Sequence, residues 1–100
     1  MQKLDLQKIR LQIDAVDKQL ATILEQRLEL VLQVAEYKKA HGMPVKDAAR
    51  EAKVIAKVTG LLNNKNYTPA VANIMRCIIE QACILEEDAL QEKTEVKFRQ

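Results

Sequence analysis

One hundred residues make at most one domain, and a small one for burying a large core by itself. Apolar residues supply 48% of the chain, yet Tyr37, Tyr67 and Phe98 are its only aromatics and Gly and Pro number two each, a composition that suits helices and argues against a sheet. Sixteen basic and fourteen acidic residues are interspersed to a net charge of +2, which excludes a basic stripe for tracking phosphates and, with so few aromatics, a platform for bases, so nucleic acid is not an expected partner.

The first predicted helix runs from about Leu4 to Lys39 without Gly or Pro. Ile9, Ile13, Val16, Leu20, Ile23, Arg27, Leu30, Val34 and Tyr37 recur along it at alternating spacings of four and three, the pattern of one face packing on other helices. It stops at His41-Gly42-Met43-Pro44, where Gly42 can take a left-handed C-cap and Pro44 blocks continuation. At 1.5 Å per residue such a helix spans on the order of 50 Å. A compact globule of this length has a radius of gyration of about 13 Å, so a second chain is the natural cover for the overhang.

A second helix is expected from Asp47, whose carboxylate caps free N–H groups, through Ala52, Ile55 and Val58 to Gly60 or Leu62. Asn63-Asn64-Lys65-Asn66 breaks it. Thr68-Pro69 reads as an N-cap followed by proline at the first helical position of a third helix through Met75, Ile78, Ile79, Ala82, Leu85 and Ala89. The segment EKTEVKFRQ has no apolar face, so residues 1–91 form the expected helical domain and 92–100 a tail expected to fray. No apolar run approaches the roughly 20 residues that cross a bilayer and no secretory leader pattern opens the chain, which points to the cytoplasm and away from membranes. Cys77 and Cys83 lie six apart on one helix, too far around it to bridge, as befits a reducing compartment.

Arg27 interrupts the apolar face of the first helix. A guanidinium cannot be neutralised there and is costly to desolvate without anionic partners, so it either meets a ligand or pairs with a buried glutamate that sets the register of a helical dimer. Lys38 follows eleven residues later, rotated by about 20°, on the same face. It either brackets a gap for a small anion together with Arg27 or snorkels from the helix end. Glu86 lies on or beside the stripe of the third helix formed by Met75, Ile79, Ala82 and Ala89, although the run Glu86-Glu87-Asp88 is also what a solvated face looks like. Arg10, Arg50 and Glu51 show no periodicity that separates them from surface charges, and His41 is expected to be exposed. No metal-ligand spacing, Gly-rich phosphate loop or Ser/His/Asp set can be built with one histidine, so neither a metal nor a cofactor is expected.

The run IRLQIDAVDKQLATILEQRLELVLQVAEYKK, the segment PVKDAARE and the run IIEQACILEEDAL together resemble the all-helical chorismate mutases from about Leu4 to Gln91. The arginine after the first isoleucine, the Glu-Gln-Arg triplet, the lysine at the end of the first helix and the Arg-Glu pair fall at family spacing. The resemblance implies an all-α fold with three helices per chain, a long first helix and an intertwined homodimer with two equivalent sites. It also implies that Arg27, Arg50 and the partner's Arg10 hold the two carboxylates of chorismate. Lys38 would face a carboxylate and the ether oxygen, Glu51 and the backbone around Asp47 would hold the ring hydroxyl, and Glu86 would also face the ether oxygen.

Such a reaction, chorismate to prephenate by an intramolecular [3,3] rearrangement, needs no nucleophile, metal or proton transfer, in keeping with the residue inventory. Catalysis then rests on holding a compact conformer and stabilising negative charge on the ether oxygen. Two positions depart from the best-known bacterial members, which carry glutamine at the position of Glu86 and serine at that of Ala82. Glu86 must be protonated to donate a hydrogen bond, and Ala82 offers no hydroxyl to the substrate. The same fold occurs in isochorismate pyruvate lyases, which differ in the connection corresponding to His41–Lys46. A noncatalytic helical dimer that activates a partner enzyme is the alternative from another class.

Overall fold

The structure, a computed structural model, describes residues 3–99, with side chains described as far as Gln91. Three α-helices follow one another, α1 (Leu6–Ala40), α2 (Ala48–Gly60) and α3 (Thr68–Arg99), with a 3-10 turn at Lys65–Tyr67 and no strand among the described residues. The fold is therefore all-α, as the composition implied. Two units divide the chain, Met1–Leu30 and Val31–Gln100, and the division falls inside α1.

In the first unit Asp5 opens α1. Its carboxylate accepts from the N–H groups of Gln7 and Lys8 at 3.0 and 3.3 Å, and its carbonyl from Ile9 at 3.0 Å, which satisfies donors that a helix start leaves free. Ile13, Val16, Leu20, Ile23 and Leu30 are all exposed, Val16 at 60% and Ile23 at 59%. The expected packing face is thus an uncovered apolar stripe in the single chain.

In the second unit the chain reverses at Gly42, the one described residue with a positive φ, at 64°. Met43 N–H donates to the Lys38 carbonyl at 2.8 Å and Gly42 N–H to that of Lys39 at 3.4 Å, the paired closure of a left-handed C-cap. Asp47 then caps α2 as expected, its Oδ1 accepting from Arg50 N–H at 3.0 Å. The apolar face of α2, with Val54, Ile55 and Val58 half-buried, packs on α3. Ala35, Met75, Ile79 and Ala82 are the buried apolar residues, and Glu86 continues the α3 stripe as a buried carboxyl at 5% exposure.

The start of α3 corrects the sequence reading. Thr68 has helical angles, φ −55° and ψ −48°, and so is not an N-cap. Asn64 takes that role one turn earlier, its side chain accepting from Asn66 N–H at 3.0 Å, and the 3-10 turn feeds directly into α3. Pro69 tolerates this because its missing N–H falls in the first helical turn. The α3 backbone continues to Arg99, and the fraying expected of 92–100 concerns a tail whose side chains lie outside the described residues.

Replacing Gly42 isolates the cost of its backbone angle, because a Cβ built there meets nothing within 4 Å. Gly42→Ala is expected to lower the free energy of unfolding by about 1–2 kcal/mol, with Gly42→Asn losing less. Denaturant melts check this, and an unchanged midpoint for Gly42→Ala would show that the turn does not constrain the folded chain.

Candidate active site

Lys38 occupies the last turn of α1, and the reversal at Gly42 returns the chain beside it. Its Nζ donates to the Val45 carbonyl at 2.6 Å and lies 3.9 Å from Glu86 Oε2 on α3. The two side chains are 15% and 6% exposed. A separation of 3.9 Å is outside hydrogen-bond range, so ammonium and carboxyl attract without sharing a proton. Of the acidic run 86–88 only Glu86 is buried, whereas Glu87 and Asp88 are exposed. Burial pushes the Glu86 carboxyl above its ordinary value, with Lys38 pulling it down and Glu87 pushing it up. Desolvation outweighs the ammonium, which favours the neutral acid.

A second group gathers at the start of α2. With Asp47 spent on the cap, the half-buried Glu51 carboxylate accepts from Lys46 Nζ at both oxygens, at 3.2 and 3.3 Å. The Arg50 side chain is exposed. Glu51 lines an open groove of about 380 Å³ between α2 and α3, together with Lys46, Ile55, Ile79, Cys83 and Glu87. Cys83 joins the two groups: burial raises its thiol pKa, the Glu51 and Glu86 carboxylates raise it further, and Lys46 and Lys38 lower it. The thiol is thereby kept protonated and weakly nucleophilic. Ala82, one turn before Glu86 on α3, is buried at 6% exposure and presents only a methyl group.

Arg10 and Arg27 belong to the first unit. Arg10 is exposed, and Arg27 Nη1 is buried without a hydrogen-bond partner among the described residues. A buried charged donor without an acceptor is unfavourable, and Arg27 as a whole is half-buried. Among the expected residues the structure brings Lys38, Ala82 and Glu86 together, and it groups Asp47, Arg50 and Glu51 at the α2 start. Sequence reasoning missed the Val45 carbonyl, Lys46 and Cys83. Only Lys46 carries a sequence signal, a cation five residues before Glu51 across a helix start. His41 is exposed as expected, but its ring stacks on Tyr37 with centroids 3.9 Å apart, and its Nδ1 lies 2.8 Å from the Tyr37 carbonyl.

The family model for chorismate mutase type II matches residues 9–87. A bifunctional chorismate mutase/prephenate dehydratase of Buchnera aphidicola is 33% identical over 89 residues, which cover 88% of this chain and 23% of that protein. The chorismate mutase of Methanocaldococcus jannaschii is 28% identical over 88 residues, covering 87% and 89% of the two chains. A 4-amino-4-deoxychorismate mutase of Streptomyces pristinaespiralis is 30% identical over 84 residues, covering 83% and 65%. The chain thus spans under a quarter of the Buchnera relative's length.

The buried Glu86 carboxyl ties stability to pH. Its folded pKa is raised, so the folded state holds the proton more tightly than the unfolded one. That contribution is complete below the unfolded value of about 4.3 and is lost as pH rises through the folded value. Unfolding free energy of the wild type is therefore expected to decline relative to Glu86→Gln across that window. Parallel curves for the two proteins in denaturant melts at stepped pH would refute it.

Proposed function

The chain belongs to the chorismate mutase type II family, and we propose that it converts chorismate to prephenate, the committed rearrangement toward phenylalanine and tyrosine, as an intertwined cytoplasmic homodimer. Residues 1–91 form the mutase domain and 92–100 its tail. The observation that carries this reading is the Lys38–Glu86 pair, nearly buried and 3.9 Å apart. A single oxygen at about 2.8 Å from each would accept from both at an angle of roughly 90°. Lys38 spends one of its three N–H donors on Val45, which leaves two. The ether oxygen of chorismate, which gains negative charge as its C–O bond lengthens, fits between them once Glu86 is protonated.

The remaining roles follow the charges. Arg27, Arg50 and the partner's Arg10 take the two substrate carboxylates, and the partner brings its arginine by packing on the exposed stripe of Ile13, Val16, Leu20, Ile23 and Leu30. Burying that stripe supplies the hydrophobic drive for association. Glu51 and the backbone at Asp47 receive the ring hydroxyl, and Ala82 closes the wall beside Glu86. No proton moves and no cofactor is required, because the reaction breaks one C–O bond and makes one C–C bond within one molecule. A fused or separate enzyme of the same route is a further partner, in line with the bifunctional relative. A second substrate reading comes from the Streptomyces relatives, named for 4-amino-4-deoxychorismate, in which an amino group replaces the hydroxyl at ring position 4.

Purified protein given chorismate is expected to release prephenate, with Lys38→Ala slower by on the order of a hundredfold, since one preorganised donor is worth about 3–4 kcal/mol in the transition state. Arg27→Ala should abolish measurable turnover. A folded protein that leaves chorismate unchanged sinks the proposal, and pyruvate release from isochorismate would move it to the lyase reading.

The pH dependence has a defined sign. Protonated Glu86 donates and ionised Glu86 repels the developing oxyanion, so kcat should fall as pH rises through its raised pKa, and Glu86→Gln should flatten the profile. A flat wild-type profile would take Glu86 out of the ether contact. For the dimer, Val16→Lys combined with Ile23→Lys is expected to halve the mass measured by sedimentation. A wild type that already sediments as one chain would overturn the two-chain site.

A further inference from the structure

Three successive residues between α1 and α2 are each held by a polar contact to one of those helices. The Val45 carbonyl accepts from Lys38 at 2.6 Å, Lys46 donates to both oxygens of Glu51 at 3.2 and 3.3 Å, and Asp47 caps α2 through Arg50 N–H at 3.0 Å. An exposed ion pair is ordinarily worth little, because two long side chains must be ordered to make it. Here the main chain on either side of Lys46 is held, and the Glu51 side chain is 24% exposed against 73% for Lys46. The carboxylate end of the pair is therefore partly shielded, while the ammonium end stands in solvent. Lys46 itself belongs to none of the substrate contacts assigned above.

We propose that Lys46 is a specificity-determining residue that acts through Glu51, cancelling its charge so that the groove takes a neutral hydroxyl at ring position 4 in preference to a protonated amine. The inference rests on the mutase reading, in which Glu51 faces that position. A carboxylate that already accepts from an ammonium keeps lone pairs for an O–H donor, since each oxygen accepts more than once. It has lost most of the field that would hold a cation. An aliphatic amine is protonated at neutral pH, and beside Glu51 it would also meet the like charge of Lys46. Two further carboxylates, Glu80 and Glu87, line the same groove, as does Arg76, whose Nη1 donates to Asn73 Oδ1 at 2.6 Å, and Glu51 is the groove carboxylate with a direct ion pair among the described residues. Discrimination of this kind works by adding a repulsive element against the competitor, not by a new attraction for the preferred ligand.

The test compares kcat/KM for chorismate and for 4-amino-4-deoxychorismate in the wild type, Lys46→Ala, Lys46→Arg, Glu51→Gln and the Lys46→Ala/Glu51→Gln double variant. The wild type should favour chorismate. Lys46→Ala should shift the ratio toward the amino substrate by roughly three- to tenfold, the range of a partly screened charge pair. Lys46→Arg should restore the wild-type ratio, and the Lys46 effect should vanish when Glu51 is already Gln. A purely structural role for Lys46 would depress both substrates alike and leave the ratio unmoved. An unmoved ratio alongside normal chorismate turnover, or a wild type that prefers the amine, overturns this inference and leaves the mutase reading standing. A wild type that turns over neither substrate removes both.

Discussion

The polar arrangement of residues 31–100 depends on how one ammonium is shared. Lys38 donates to a backbone carbonyl at 2.6 Å and stands 3.9 Å from a buried carboxyl. The carbonyl of Val45 gives the lysine an acceptor other than Glu86. The carbonyl engages the charge from the other side, so the pair stays open and desolvation remains the larger influence on Glu86. Val45 is in reach only because the chain turns back at Gly42, whose positive φ lets α1 end and the connection reverse within a few residues. A backbone angle with no chemistry of its own thus bears on the surroundings of a carboxyl about five helical turns into another element.

The two ends of the chain place different demands on water. The first thirty residues carry an apolar stripe and a guanidinium with an orphaned donor, and the single chain satisfies neither. Covering the stripe answers the hydrophobic demand, and an anion answers the guanidinium. An intertwined dimer with a dianionic substrate answers both at once, which is why assembly and ligand belong in one proposal. In the second unit, by contrast, no buried side-chain nitrogen or oxygen lacks a partner among the described residues, and helix caps, the Lys38–Val45 bond and the Lys46–Glu51 pair are internal.

Much of this was legible in the sequence, and for physical reasons. Four-three spacing located the first and third helices and put Glu86 on or beside an apolar stripe, because burial follows the helical period whatever the chemistry of the side chain. Gly42 and Asp47 marked a helix end and a helix start because each supplies something local, a left-handed angle in one case and an acceptor in the other. Thr68 misled because two capping residues, Asn64 and Thr68, stood one turn apart, and the 3-10 turn between them made the earlier one effective. The Val45 carbonyl was invisible, since a backbone acceptor has no residue identity. Lys46 looked like any surface cation until the turn at Gly42 and the cap at Asp47 fixed where it points. Cys83 was legible as a small residue on α3, but its place in the groove depends on how α2 lies against that helix.

Glu86 carries a trade-off that a glutamine at the same position would avoid. An amide donates its hydrogen bond at every pH, whereas a carboxyl donates only while protonated, and the proton of Glu86 is opposed by Lys38. Keeping it neutral requires burial, and burial next to a lysine is tolerable only if the lysine has another acceptor. Val45 is that acceptor. Once protonated, the acid offers what the amide cannot, a donor that is a stronger acid than an amide N–H and so a stronger hydrogen bond to an oxygen gaining negative charge. In the proposed reaction the cost would be a working range bounded on the alkaline side by the raised pKa of Glu86. Glu51 is placed differently: it is half in solvent, and Lys46 donates to both of its oxygens. One unit thus holds one lysine apart from a buried carboxyl and another directly on a half-exposed one.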